Sequence, residues 1–288
     1  DHPEEELLQV IRESVHTSSY FAYPNGHYAG SAGSRNTLHF YPHGYEITGR
    51  EIPEAAAVAE KMLQGLQRGA LVPPGIISDR YVFYRVPEFL LAYLDYSQRP
   101  EAPPKLPWEN DNIRQYMPKA GIFAMTQERY YLLVNLAKGG VIKLFDRHKG
   151  RLLANDAGII GRLEKGRIIT SQWIDPQYNI TQNEEQLSVS GYMQEVPSHK
   201  LFTPFKLILF RSALVALGRI PAFAHFLKGQ IRKALILGQR QSSVHFTRSI
   251  DLNKLEAEDT LKIADSSRFT SLSFGDEFFV RYVPQSRY

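Results

Sequence analysis

Imidazole, phenol, guanidinium and amide side chains crowd into residues 23–45 of this chain. The run begins Tyr23-Pro24-Asn25-Gly26-His27-Tyr28 and continues Ser34-Arg35-Asn36-Thr37-Leu38-His39-Phe40-Tyr41-Pro42-His43-Gly44-Tyr45. Glycine and proline punctuate it, which predicts loop and irregular strand, the setting in which a rigid scaffold often holds reactive groups. These residue types suit three chemistries. A zinc site would use His39 and His43, but Pro42 argues against a continuous helix carrying both, and no HExxH pattern occurs. A serine nucleophile would use Ser31 or Ser34, but there is no G-x-S-x-G elbow. The third is β-elimination on a uronic-acid polymer. That reaction removes the proton beside a carboxylate and expels the glycosidic oxygen. It needs a group to neutralise the carboxylate, a base tuned toward working pH, and an acid for the leaving oxygen. Arg35 and Asn36 suit the first role, with Asn25 and His27 as further substrate contacts. His39 or His43 suits the second, and Tyr41 or Tyr45 the third. The alternative is a loop packed by its aromatic rings, with histidines hydrogen-bonded locally.

Other functional classes lack support. The chain has no G-x-x-x-x-G-K-[ST] and no G-x-G-x-x-G, so nothing points to a nucleotide, and no cofactor or metal is expected. Asp146, His148 and Asp156 are a conceivable ligand set, but their positions suit turn residues that bond their own backbone. Aromatic residues make up 12% of the chain, and Trp108 and Trp173 join sixteen Tyr and sixteen Phe. Some of these rings could stack on sugar faces, while most are expected in the core.

The elements that must position these groups follow from pattern. The 288 residues are 43% apolar and 22% charged, enough for one large or two ordinary domains with a buried core. There is no cysteine, so disulfides and thiolate metal sites are excluded. That does not fix the compartment, and a periplasmic or cell-envelope setting is compatible with it. The first residue is Asp1, the expectation being a processed form or a fragment, and no apolar run reaches the length of a membrane span.

Residues 4–15 predict a helix with Leu7, Leu8, Ile11 and Val15 on one face. A second helix is predicted at 53–69, opened by Pro53, with Ala56, Ala59, Met62, Leu63 and Leu66 at helical spacing. A third is expected at 79–97, where Pro87 allows two short helices and Phe89, Leu90, Tyr93 and Leu94 are expected to be buried. Four prolines in 98–107 mark a connector. The expected organisation is a helical domain with connector at 1–107 and a β domain at 108–288.

Past the connector the apolar period changes to strands at 130–136, 140–146, 151–155, 166–173 and 186–196. Further strands are expected at 244–252, 261–263 and 271–283. Many short strands separated by turns argue an antiparallel sandwich. The run 204–238 breaks this pattern. Phe205 to Leu217 is strongly apolar, and Ile220, Phe223, Leu227 and Ile231 then face away from His225, Lys228 and Arg232. This is a basic helical insertion. Residues 201–250 hold eight Lys and Arg and no Asp or Glu. Such a cluster favours an anionic neighbour, namely acidic polysaccharide or, through 205–235, a peripheral membrane surface. Nucleic acid is not expected, because the basic residues are interleaved with aliphatics and no recognised module occurs.

The order of features resembles the C-terminal part of the heparinase II/III-like proteins. The resemblance is carried by Gly139-Gly140-Val141-Ile142-Lys143-Leu144-Phe145, by Asn155-Asp156-Ala157-Gly158-Ile159-Ile160-Gly161, and by Arg248-Ser249-Ile250-Asp251-Leu252 followed by Asp259-Thr260-Leu261-Lys262-Ile263-Ala264-Asp265. It implies an α+β chain in which the helices are the last of an α/α toroid, followed by a large antiparallel β-sandwich with a helical insertion. The implied activity is that of a polysaccharide lyase, with its site in the cleft between the two parts and Asn, His, Tyr and Arg as its residues. The cluster at 35–45 would then lie near that cleft. The chain departs from the family in one respect: the stretch 134–140 lacks the histidine that family lyases carry on an early strand. That departure supports an alternative, a non-catalytic polysaccharide-binding or export and assembly factor.

Overall fold

A computed structural model describes residues 3–33, 40–71, 79–96, 102–196, 240–263 and 268–276, with isolated positions at 205, 208, 211, 212 and 225. It shows an N-terminal helical region followed by antiparallel β-structure.

Helix α1 (Pro3–Ser19) opens with Glu4, Glu5 and Glu6, whose charge suits the positive end of a helix dipole. It ends where the Ser18 and Ser19 hydroxyls bond back to the Val15 and His16 carbonyls at 2.8 Å. The short helix α2 (His43–Thr48) follows Pro42, and α3 (Pro53–Gln67) starts with a proline in its first turn, where no N–H is needed. The run Ala55, Ala56, Ala57, Val58 and Ala59 is buried all round the helix, and its small side chains let neighbours come close on every side. At Gly65 the approach is extreme: an added Cβ would stand 2.3 Å from the carbonyl oxygen of Gly26, which itself has φ +83°. Only glycine at both positions allows the turn around residue 26 to rest on α3.

Helix α4 (Asp79–Asp95) corrects two expectations. It is one helix with Pro87 inside, not two. Its buried side is Arg85 and Ala92 with half-buried Phe89, the face turned to α2. Leu90, Tyr93 and Leu94, expected inside, are exposed. The apolar residues run more than half-way round this helix, so periodicity alone does not choose the face. In α1, Leu7, expected on the packed face, is also exposed, while Val15 is buried.

Two antiparallel sheets follow. The first is a meander of β1 (Arg114–Met117), β2 (Ile122–Gln127), β3 (Tyr130–Asn135), β4 (Val141–Asp146) and β5 (Arg151–Asp156). The second contains β6 (Gly158–Leu163), β7 (Ile168–Thr170), β8 (Asn179–Gln182), β9 (Gln186–Glu195), β10 (Gln241–Asp251), β11 (Glu256–Ile263) and β12 (Phe269–Gly275). Its strand order is β11-β10-β9-β7-β6-β12, with β8 paired to β9. The inner faces share one core that joins Phe123, Met125, Leu132 and Val134 to Leu187, Val189, Val244 and Phe246.

Burial explains the strand sequences. In β10 Val244, Phe246, Arg248 and Ile250 are buried and alternate with half-exposed residues, as expected of a sheet with one covered face. In β3 Tyr131, Leu132, Leu133, Val134 and Asn135 are all buried, because that sheet is covered on both sides. Its outer face, Ile122, Ala124, Tyr131, Leu133, Val141 and Phe145, packs on Tyr20, Tyr23 and Ala32 of the helical region. The Tyr131 hydroxyl donates to the Tyr20 carbonyl at 2.7 Å. This face is where the helical region and the β-structure meet.

Residues from four separate stretches of the chain come together at one buried charge. Arg248 is fully buried. Its guanidinium donates to Asp259 Oδ1 and Oδ2 at 2.8 and 2.7 Å and to the Gly140 carbonyl at 2.9 Å, and pairs with Asp156 at 3.0 Å. Most of the expected insertion at 204–238 and the C-terminal end of the expected 271–283 strand lie outside the described residues, as do residues 97–101 of the connector. Phe205, Ile208, Arg211, Ser212 and His225 are helical and exposed. Among the described residues no helix is long and apolar enough to cross a membrane.

Candidate functional site

The site region is organised by a tight turn at residues 22–28. Ala22 and Tyr28 form a bridge, Tyr23 N donates to the His27 carbonyl, and Gly26 N donates to the Tyr23 carbonyl. Asn25 spends its Oδ1 on the His27 backbone N–H at 3.1 Å, an Asx turn that fixes the reversal. Asn25 is therefore placed as the residue that shapes the turn.

His27 and Tyr28 serve different neighbourhoods. The Tyr28 hydroxyl lies 2.9 Å from the Tyr45 hydroxyl on α2, and both rings flank Phe40, at 5.6 and 5.2 Å between centroids. Burial, and then the Tyr45 hydroxyl, push the Tyr28 phenol far above its ordinary pKa, so it stays a neutral donor or acceptor. His27 instead lies in the field of Lys143 on β4. Burial, then that ammonium, lowers its imidazole pKa.

A second polar group sits on the outer face of the first sheet. The three-residue 3-10 turn Gly30–Ala32 is gripped from β3 and the turn after it. Asn135 Nδ2 donates to the Ala32 carbonyl at 2.7 Å, and Lys138 Nζ donates to the Ser31 and Gly33 carbonyls, both at 2.7 Å. Lys143 Nζ donates to Asn155 Oδ1 at 2.8 Å, an atom that also accepts from Ser31 Oγ at 3.0 Å. The Asn155 amide in turn donates to the Asp276 carbonyl. Burial brings Lys143 down to about 8. Burial, then the neighbouring Lys143, brings Lys138 down to about 7.

On the helical side, α2 presents His43 at its start. His43 Nε2 lies 3.0 Å from Asp95 Oδ2 near the end of α4, with both side chains about one-quarter exposed. A proton on Nε2 donated to Asp95 leaves Nδ1 as an acceptor, the arrangement of an oriented base. Tyr41, two residues earlier, is 43% exposed and lies within electrostatic reach of Arg85 on α4. Two concavities border these groups. One of about 490 Å³ runs between α1 and the 28–33 loop, lined by Ser14, Thr17, Ser18, Tyr28 and Gly33. The other, about 340 Å³, is apolar and lies among α2, α3 and α4, lined by Phe40, Pro42, Phe89, Ala92 and Tyr96.

Of the residues expected to act, Tyr41, His43 and Tyr45 are on or beside α2, while Asn25 and His27 are in the 22–28 turn. Arg35, Asn36 and His39 lie outside the described residues. Asp146 accepts from Lys149 N at 3.0 Å and Asp156 from Gly158 N at 2.7 Å, the local turn bonding expected of them. Among the described residues no group of three or more His, Asp or Glu is arranged to hold a metal ion.

Sequence reasoning misses Lys138, Lys143, Asn135, Asn155 and Asp95. Lys143 carried a signal: it interrupts the apolar run Val141-Ile142-Lys143-Leu144-Phe145, where a charge is costly unless something uses it. The chain matches no family model, no curated protein and no solved structure.

Proposed function

We propose that the chain is a polysaccharide-lyase-like protein carrying out β-elimination on an acidic, uronate-containing polysaccharide. On this reading the helices are the end of an α/α toroid and the two sheets a β-sandwich. The observation that carries it is the His43–Asp95 pair, an imidazole oriented by a carboxylate, both part-exposed, with the exposed Tyr41 two residues earlier in the chain. His43 Nδ1 takes the proton from the carbon next to the uronate carboxylate. That electron pair forms the carbon–carbon double bond, the glycosidic carbon–oxygen bond breaks, and Tyr41 gives its proton to the departing oxygen. Arg35 and Asn36 are assigned to the carboxylate. The test is ultraviolet absorbance of the unsaturated product across a panel of uronate polymers. His43→Ala should lower kcat at least a hundredfold, and no absorbance from any polymer ends the proposal.

A specific observation favours a second reading, a non-catalytic binding factor. In the stretch 134–140, which holds no histidine, Asn135 and Lys138 are committed to gripping the 30–33 turn. Salt-sensitive retention on an acidic-polysaccharide resin without cleavage would favour it.

A further inference from the structure

The basic group on the outer face of the first sheet has an unusual charge balance. Lys143 is 7% exposed, yet among the described residues its ammonium makes one hydrogen bond, to the neutral Asn155 amide, and no ion pair. Two of its three N–H groups are thus unspent. The groups facing it add positive or neutral character. Lys138 comes from the turn after β3, His27 from the 22–28 turn, and the Tyr23 ring lies 5.7 Å from its Nζ. No ring nitrogen of His27 has a hydrogen-bond partner among the described residues. A buried ammonium in this state is destabilising unless an anion meets it. Around Lys143, His27 on the 22–28 turn and Asn155 on β5 are both half-buried, so the cluster is not sealed on every side.

We propose that Lys143 and His27, with Lys138 behind them, bind the carboxylate of a uronate sugar at this face of the sheet. The carboxylate would take up the spare Lys143 N–H groups and an imidazole N–H of His27, replacing a neutral environment with a charge-assisted one. The cluster itself calls for a carboxylate; choosing a sugar to carry it rests on the function proposed above.

The test is calorimetric titration and thermal unfolding of the full chain with sodium glucuronate, with glucose and sodium sulfate at matched ionic strength. Glucuronate should bind and raise the melting temperature, and glucose and sulfate should not. Lys143→Met should weaken glucuronate about tenfold or more, and Lys143→Arg should retain much of it. Equal shifts from glucose or sulfate, or unchanged affinity in Lys143→Met, would overturn the proposal. Should Lys143→Met fail to fold, Asn155→Asp decides: its own carboxylate would meet Lys143 and abolish the glucuronate effect, whereas undiminished binding overturns it. The two proposals fail separately. Glucuronate binding without cleavage of any polymer keeps this one and ends the lyase reading. Cleavage with an unchanged KM in Lys143→Met does the reverse.

Discussion

Two of the buried cations, Arg248 and Lys143, are met by their surroundings in opposite ways. Arg248 sits between the sheets with Asp156, Asp259 and the Gly140 carbonyl around its guanidinium. Lys143 sits on the other face of the first sheet with a neutral amide and an aromatic ring. The fork of an arginine meets fixed carboxylates and stays charged at any accessible pH. The lysine's charge is held down by burial and is exchangeable. The first arrangement is complete within the fold, while the second has N–H groups left to offer. The difference separates a charge that fixes architecture from one suited to a ligand.

The largest expected effect lies on the architectural side. Arg248→Ala removes the cation and leaves Asp259 and Asp156 facing each other's field in a buried space. Urea unfolding should report a loss of about 3–5 kcal/mol. A loss below about 1 kcal/mol would erase the contrast between the two cations. Gly140→Ala tests the same cluster from the backbone. Gly140 has φ +80°, and an added Cβ would stand 2.7 Å from Arg248 Cδ and 3.0 Å from Val189 Cγ1. The expected cost is about 3 kcal/mol, combining left-handed strain with overpacking.

What could be read from sequence divides along similar lines. The alternation Val244, Phe246, Arg248, Ile250 fixes the inward face of β10, because a period of two leaves one choice once one side is apolar. The helix start at Pro53 is legible locally too, because proline suits a first turn that needs no N–H. The packing side of α4 is not, since apolar residues on two faces do not say which neighbour arrives. Of the candidate site, the sequence shows the residue types at Tyr41, His43 and Tyr45. It does not show the partners: Tyr28 reaches Tyr45, His43 reaches Asp95, and Lys138 reaches the Ser31 carbonyl, separations of 17, 52 and 107 residues that no spacing rule covers. Gly140 and Lys143 share one seven-residue run, whose pattern gives the strand but not the neutral surroundings of the ammonium.

The lysines sharpen the comparison through pH. In the folded chain Lys138 and Lys143 give up their protons near about 7 and about 8, whereas the unperturbed value is 10.5. Between these limits the unfolded chain binds more protons, so stability should rise as pH increases from about 7 to about 10 and level off below about 7. A neutral Lys138 amine still donates two hydrogens, enough for the Ser31 and Gly33 carbonyls, so the 30–33 turn stays held. Urea unfolding at neutral and alkaline pH should show Lys143→Met losing about 2 kcal/mol of that rise. Arg248→Met should leave the pH slope of the wild-type chain intact. A falling profile in the wild-type chain would mean that an anion already neutralises the pair.

The smallest stability change is expected at His43 and Asp95. Both are part-exposed, so Asp95→Asn should cost about 1 kcal/mol or less in unfolding experiments. Its effect on chemistry should be far larger. An amide in place of the carboxylate can present its oxygen or its NH₂ to the imidazole, so it no longer dictates which ring nitrogen carries the proton. On the lyase proposal kcat should then fall at least tenfold with KM little changed, because the ring is misassigned while the polymer still binds. Lys143→Met predicts the opposite split, with KM raised and kcat largely retained. A chain in which Asp95→Asn raises KM instead would make His43 a binding residue and move the search for the base to the segment that carries His39.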